Sequence, residues 1–197
     1  MGLGITLMLR SRVGAFPYDS VIHYIQTIIN IPEIDFGITS IFVGALITLI
    51  NFFLIKNKKV FLSITLLLGF GYILKFWHYV IPNNIYQETY YLNLLISLTG
   101  ITITSVGIAM IIQLNDFPLS PTEVTLIYFK EKFKKTFYAK LFIETILIII
   151  ALILASFVKD FEQITLISII SIPISSMIVH AFDQLINKFF KLETSYN

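Results

Sequence analysis

Long apolar segments, separated by short polar stretches, make up most of the chain. Five of them hold about 18 residues or more, which is enough for a helix to cross the hydrocarbon core of a bilayer. They occupy residues 36–55, 60–81, 90–113, 137–158 and 163–186. A sixth apolar segment covers only residues 1–9. The pattern predicts an all-α polytopic membrane protein with about six transmembrane helices.

Two shorter segments alternate apolar and polar residues with the period of a helix. In residues 19–30 the polar positions fall on one face: His23, Gln26, Thr27 and Asn30. In residues 122–136 an apolar stripe faces lysines: Leu126, Phe129, Phe133 and, one residue beyond, Phe137, against Lys130, Lys132, Lys134 and Lys135. Such segments are typical of helices that lie in the membrane interface or re-enter it. We expect two amphipathic side helices.

The chain contains an internal repeat. Pro17-Tyr18-Asp19 and Pro121-Thr122-Glu123 lie 104 positions apart, and each precedes an amphipathic helix and two long apolar segments. We expect a single membrane domain over residues 1–197, with repeat one at about 1–83 and repeat two at about 88–190. The segment 1–9 corresponds to 90–113, so the first helix either enters the membrane halfway or continues upstream. We favour an upstream start because the second copy has the complete helix.

The basic residues favour inverted copies. If both amphipathic helices stay on one side, ten lysines share a side, whereas Arg10, Arg12 and Lys159 lie opposite. The ten are Lys56, Lys58, Lys59, Lys130, Lys132, Lys134, Lys135, Lys140, Lys188 and Lys191. If both helices cross, the split is six against seven, and the positive-inside rule prefers the first arrangement. An arrangement in which only 19–30 crosses breaks the repeat symmetry and ranks second. The C-terminus is then cytoplasmic.

Composition narrows the range of functions. The chain is 56% hydrophobic and 13% charged, and its net charge of +2 gives no reason to expect nucleic acid binding. It has no cysteine, which excludes thiol catalysis and thiolate metal sites. The three histidines lack metal-ligand spacing, and no nucleotide-binding or nucleophile motif occurs. We therefore expect no enzyme activity, no metal and no cofactor.

The segment Gly-Ile-Thr-Leu-Met-Leu-Arg-Ser-Arg-Val-Gly-Ala-Phe-Pro-Tyr-Asp, residues 4–19, resembles a family motif. It is similar to the opening of the YczE/YitT-type bacterial integral membrane proteins, G-x-x-L-x-x-x-(A/S)-x-x-G-x-x-P-(W/F/Y)-D, and Gly14 falls on its second glycine. Phe36-Gly37-Ile38 and Gly69-Phe70-Gly71 resemble later glycine elements of that family. The resemblance implies a polytopic protein of the bacterial inner membrane with a transporter-like role. Size and span number also resemble the substrate-binding subunits of energy-coupling vitamin transporters.

The repeated acids are candidate substrate ligands. Pro17 and Asp19 in one copy match Pro121 and Glu123 in the other. The simpler interpretation is helix initiation, with Ser120 and Glu123 forming a capping box. The functional interpretation is that both loops line a cavity between inverted halves. There, Asp19 and Glu123 bind a cation or a substrate amine.

Helix-breaking residues lie at matching places in the two copies. Gly69 and Gly71 fall in the middle of one long segment, and Pro173 falls in the corresponding segment with Ser176 nearby. Matched interruptions point to transporter binding sites, whereas close packing of helices explains small residues equally well.

Three charged residues fall within apolar segments: Lys75, Glu144 and Asp183. Glu144 is the deepest acid and the strongest single candidate, although its spacing from Lys140 also allows a local ion pair.

These features favour a small-molecule transporter or a substrate-binding membrane subunit. Its partners are the lipid bilayer and a small-molecule or ion substrate. The alternative is a membrane scaffold or regulator that docks a partner protein or anionic lipid through its lysine-rich helix.

Overall fold

The fold is described from a computed structural model covering residues 1–31, 33–82, 85, 89–113 and 120–190, with the side chains of Asn187, Phe189 and Phe190 excepted. The helices are α1 (Gly2–Ser11), α2 (Pro17–Ile29), α3 (Phe36–Ile55), α4 (Ser63–Val80), α5 (Tyr90–Ile112), α6 (Pro121–Phe133), α7 (Thr136–Val158) and α8 (Leu166–Phe190). A short 3-10 helix, Lys58–Leu62, precedes α4. Lys191 and the expected repeat boundaries at 83 and 88 lie outside the described residues.

Five helices in the described part of the chain are long and apolar enough to cross a membrane: α3, α4 with its 3-10 turn, α5, α7 and α8 up to Ile186. Their bounds agree with the apolar segments to within a few residues. Large apolar side chains such as Phe42, Phe53 and Phe157 are exposed on their outer surfaces, which fits contact with lipid. The protein is thus an all-helical, multi-pass membrane protein.

The expected sixth span is only a short helix. α1 has ten residues and extends about 15 Å, half the thickness of the hydrocarbon core. It packs along α5 through two glycines, because a Cβ on Gly4 would lie 2.6 Å from the carbonyl oxygen of Gly100. Met8, which is fully buried, fills the space beside this contact. α1 is therefore held by backbone-to-backbone packing.

One end of the bundle gathers the arginines. Arg10 donates a hydrogen bond to the carbonyl oxygen of His78 near the end of α4 (3.0 Å). Arg12 pairs with Glu162 between α7 and α8 at 3.5 Å. We call this the arginine end, defined by residues 10–16, 33–35, 78–82 and 158–165. Lys75 reaches it as well, through an ion pair with Asp35 (3.1 Å).

The opposite end, which we call the lysine end, comprises residues 51–63, 112–113, 120–136 and 183–188. Its exposed cations include Lys56, Lys58 and Lys135. Polar contacts join its elements, because Asp183 on α8 accepts hydrogen bonds from Lys130 of α6 (2.9 Å) and Thr136 of α7 (2.7 Å). Gln113, at the end of α5, also donates to Asp183.

Proline begins both short helices, as the sequence predicted. Pro17 is the first residue of α2 and Pro121 the first of α6, where the missing N–H has no helical partner to lose. The predicted capping box is wrong. The Ser120 side chain makes no cap hydrogen bond and its hydroxyl instead lies 3.0 Å from that of Thr122, while Glu123 is buried. The buried carboxylate of Glu123 instead accepts a hydrogen bond from the Thr122 hydroxyl at 3.4 Å.

The helix contacts follow a recurring pattern. α1 packs against α4, and α5 against α8; α3 packs against α4, and α7 against α8. The short helix α2 contacts α3 and α7, whereas α6 contacts α7 and α3. α1 and α5 pack against each other.

Gly100→Ala tests the packing of α1. Its new Cβ would lie 2.6 Å from the Gly4 carbonyl oxygen, so we expect a loss of about 1–3 kcal/mol in unfolding free energy. Gly69→Ala is the matched control, because no heavy atom lies within 4 Å of its new Cβ. Thermal unfolding in detergent measures both variants. Equal melting temperatures would show that the contact does not limit packing.

Candidate functional site

A cavity of about 100 Å³ lies inside the bundle. Asp19 of α2, Glu123 of α6, and Lys140 and Glu144 of α7 all line it. The remaining lining is largely apolar, with a few hydroxyl groups: Met1, Ile5, Phe16, Leu66, Leu67, Phe70, Ile108, Ile111, Pro121, Leu126, Ile143, Leu147, Tyr18, Ser40, Thr104, Ser120 and Thr122. This volume is several times the roughly 10–15 Å³ that one water molecule needs. An apolar pocket with a few convergent polar groups is typical of small-molecule sites.

The loop before α2 fixes the position of Asp19. The carbonyl oxygen of Val13 accepts a hydrogen bond from the Thr165 hydroxyl, and the N–H of Ala15 donates to the carbonyl oxygen of Gln163 (3.2 Å). Between them Gly14 has φ 129°, and a Cβ there would lie 2.5 Å from the Ser168 hydroxyl oxygen. Only glycine fits both the backbone angle and the space. The motif glycine therefore tethers the start of α2 to the α7–α8 loop.

A buried asparagine fixes the start of α6. Asn51 of α3, which is 1% exposed, donates a hydrogen bond to the carbonyl oxygen of Pro121 at 2.8 Å. Its own side-chain oxygen accepts a hydrogen bond from the Thr125 hydroxyl at 2.8 Å. Both the nitrogen and the oxygen of the amide are thus hydrogen-bonded. A buried amide without these partners would be destabilising. α3 therefore holds Glu123 at the cavity.

Acids outnumber side-chain bases in the cavity by three to one. Lys140 forms an ion pair with Glu144 one turn along α7, as their spacing had allowed. Ser175 of α8 also donates a hydrogen bond to Glu144 at 3.1 Å. Among the described contacts Asp19 accepts no hydrogen bond, and one carboxylate oxygen of Glu123 is buried without a partner. Glu144 is paired with a cation, whereas Asp19 and Glu123 are not; the other oxygen of Glu123 accepts a hydrogen bond from the Thr122 hydroxyl at 3.4 Å.

Burial changes the acidity of the repeated acids, which lie on the short helices outside the membrane-spanning segments. Desolvation raises the pKa of Asp19 to about 7, opposed by the positive charge of Lys140. Desolvation likewise raises the pKa of Glu123 to about 7, again opposed by Lys140. Both groups therefore titrate near neutral pH, where an ordinary carboxyl is ionised.

The cavity brings together only part of the predicted set. Asp19, Glu123, Glu144 and Pro121 line it, and the buried Pro17 directly precedes Tyr18 on its wall. Sequence reasoning missed Lys140 as a lining residue, because it was counted among the lysines at a membrane surface. Its spacing from Glu144 was the available signal. Ser40, also missed, lies 104 positions before Glu144, so the repeat itself pointed to it.

The glycines and the proline lie elsewhere. α4 runs through Gly69 and Gly71, and α8 through Pro173, without interruption. Gly71 packs against α3, where a Cβ on Gly37 would lie 2.7 Å from its carbonyl oxygen. Ser176 donates a hydrogen bond to the Ile172 carbonyl oxygen of its own helix. These contacts fit close packing of helices, and the lining of the cavity includes none of these residues.

The other two charged residues in apolar segments have structural partners. Asp183 accepts hydrogen bonds from three side chains of the lysine end, those of Gln113, Lys130 and Thr136. Lys75 pairs with Asp35, which also caps α3 by accepting a hydrogen bond from the N–H of Ile38 at 2.9 Å. Neither side chain lines the cavity. Within the described residues, no group of three potential metal ligands comes together.

Comparison with known proteins places the chain in a family. A family model described as "Family of unknown function (DUF6198)" matches residues 1–184. The chain belongs to the DUF6198 family. It is also similar to "Uncharacterized protein YyaS" of Bacillus subtilis (strain 168), at 22% identity over 190 residues, 96% of this chain and 90% of that protein. No solved structure matches the chain. The YczE/YitT resemblance stays a prediction, and nothing in these matches conflicts with it.

Lys140→Met tests whether the cavity depends on its lysine. Removing the cation leaves Glu144 buried without its partner, so we expect a loss of about 3–5 kcal/mol in stability. The double variant Lys140→Met/Glu144→Gln is expected to lose less, because it also removes the orphaned charge. Thermal unfolding in detergent compares them, with exposed Lys135→Met as the control. If Lys140→Met were as stable as Lys140→Met/Glu144→Gln, the loss would not come from the unpaired Glu144.

The raised pKa values of Asp19 and Glu123 predict a pH-dependent stability. Protonation is favoured in the folded state, so the stabilisation is present below the unfolded-state pKa values of about 4 and is lost as pH rises through about 7. We expect the melting temperature in detergent to fall across this window. The variant Asp19→Asn/Glu123→Gln should flatten the profile. An unchanged slope in that variant would exclude these two groups as its source.

Proposed function

We propose that the protein is a small-molecule transporter whose substrate binds in the cavity lined by Asp19, Glu123 and Glu144. The observation that carries this proposal is the convergence of the buried acids of the two Pro-x-acid elements on one cavity. Elements 104 positions apart start from different ends of the bundle, yet their acids line the same space. Helix initiation alone gives no reason for this convergence.

The helix contacts support an inverted repeat. Exchanging α1 with α5, α2 with α6, α3 with α7 and α4 with α8 leaves the α1–α5 contact in place and turns each of the other helix contacts described above into another of them. α2 belongs to the arginine end, since Ser20 donates to the carbonyl oxygen of Gln163 (3.2 Å). α6 belongs to the lysine end through Asn51 and Asp183. Matching helices at opposite ends are what inverted repeats produce, and transporters commonly bind substrate where such repeats meet.

We further propose an orientation in a bacterial inner membrane. The positive-inside rule places the lysine end, with its exposed Lys56, Lys58, Lys59 and Lys135, in the cytoplasm. The arginine end then faces outward. In this orientation Asp19 belongs to an element anchored at the outer end and Glu123 to one anchored at the inner end. A site between them is suited to alternating access.

The docking alternative receives less support from the lysine-rich helix. Lys130 is held by Asp183, and Lys140, on the following helix, is buried in the cavity. Two of the cations that were expected to present a basic surface are thereby occupied inside the bundle. The remaining exposed lysines suffice for an ordinary positive-inside anchor.

Cysteine accessibility tests transport without knowledge of the substrate, because the chain has no native cysteine. Ser40→Cys and Ser120→Cys place a thiol on the cavity wall. A transporter exposes this site to each side in turn, so we expect a membrane-impermeant thiol reagent to label both variants in right-side-out and in inside-out vesicles. The measurement is the labelled fraction in each vesicle orientation.

Three controls define the result. Glu162→Cys at the arginine end and Lys58→Cys at the lysine end should each label from one side only, and from opposite sides. Ile149→Cys, exposed on the outer surface of α7, should label from neither side because lipid covers it. Cavity thiols that react from one side only, or from neither, would contradict transport and favour the scaffold role.

A further inference from the structure

Charge balance in the cavity defines the class of its ligand. The lining includes three carboxyl groups and the single side-chain cation Lys140, which Glu144 already engages. Asp19 and Glu123 are each 3% exposed. An unpaired carboxylate in such a setting costs several kcal/mol, so each acid must bind a proton or face a cation. An anionic ligand would repel both acids, and a neutral ligand would not balance the charge of a deprotonated one.

The groups around these acids come from several helices. α2 contributes Tyr18 beside Asp19, and α7 contributes Lys140 and Glu144. α1 contributes Met1, whose amino group is partly buried. The cavity-lining residues of α3, α4 and α5 are apolar or hydroxyl-bearing and hold no ordinarily titrating group: Ser40, Leu66, Leu67, Phe70, Thr104, Ile108 and Ile111. No fixed side-chain cation is thus available to the two repeated acids except the shared Lys140.

The cavity wall favours an organic cation over a metal ion. A metal ion needs a closely spaced set of oxygen ligands, and the described residues provide no such group of three acids and histidines. Aromatic and aliphatic side chains dominate the wall instead. The ring of Phe16 already faces a cation, with the Lys140 ammonium 5.7 Å from its centroid. Aromatic faces attract ammonium groups more strongly when water is excluded.

We infer that the cavity binds a small organic cation, a protonated or quaternary amine, in exchange for a proton held by Asp19 or Glu123. The inference rests on the proposed function and specifies its substrate class. One O–H bond breaks as the cation enters, the proton leaves to water, and the charge of the cavity is unchanged. Lys140 and Glu144 stay paired throughout. The pKa values of about 7 for both acids place this exchange near neutral pH.

The test uses phenyltrimethylammonium and the purified full chain in detergent, with binding followed by titration calorimetry. Because one proton leaves for each cation bound, the affinity should rise about tenfold per pH unit below about pH 7 and level off above it. Buffers with different heats of ionisation count the protons released. The uncharged isostere tert-butylbenzene and the anion benzoate should bind at least about tenfold more weakly, at about 1.4 kcal/mol per decade.

Asp19→Asn and Glu123→Gln should each weaken binding of the cation and reduce the number of protons released. Asp35→Asn is the matched acid control at the arginine end, and it should leave both values unchanged. The inference is overturned if the isostere binds as tightly as the cation, if affinity is flat between about pH 5 and 8, or if no proton is released. These wild-type measurements decide the question even if a variant fails to fold.

Failure here and failure of transport are separate results. Thiol labelling of the cavity from both sides without binding of the cation would leave transport standing and overturn the ligand class. Binding of the cation with proton release, together with labelling from one side only, would support the ligand class in a protein that binds without transporting.

Discussion

The central constraint on this protein is the presence of three carboxyl groups around one lysine inside an apolar helix bundle. Charges without partners are expensive in such an environment, because neither lipid nor aliphatic side chains solvate them. The ion pair of Lys140 with Glu144 removes part of that cost. Asp19 and Glu123 have no such partner, so the cost of burying their charges remains and raises their pKa values. In the proposed transporter, stability and ligand choice therefore depend on the same few groups.

Polar contacts at the two ends of the bundle maintain this arrangement. The α7–α8 loop holds the start of α2 through Gln163 and Thr165, and Asn51 of α3 holds the start of α6. Helices in lipid gain little from burying apolar surface against one another, so close packing and buried hydrogen bonds set their positions. The glycine contact between α1 and α5 and the hydrogen bonds at Asp183 act in the same way. The cavity lies between the helices that these contacts hold in place.

Several residues have a different role in the structure from the one that their local sequence pattern predicts, and for the same physical reason. Gly71 and Pro173 look like helix interruptions, but α4 and α8 are continuous, and Gly71 lies where α4 packs closely against Gly37 of α3. Ser120 and Glu123 have the spacing of a capping box, but the acid lies in the cavity. Lys140 has the position of a surface anchor, but Glu144 is one turn away. In each case a partner from tertiary structure or from the next turn outweighs the local pattern.

The helical class, the five long apolar helices and the two proline-initiated short helices follow from hydrophobic period and local backbone preference, so the residues alone predict them. The repeat and the rarity of charge in apolar segments also single out Asp19, Glu123 and Glu144 as candidate site residues. That these acids face one cavity with Lys140, and that Asp183 and Lys75 do not, is visible only in the packed structure. Which side chains converge depends on how distant helices pack, and a pattern along one chain holds no distances between its segments.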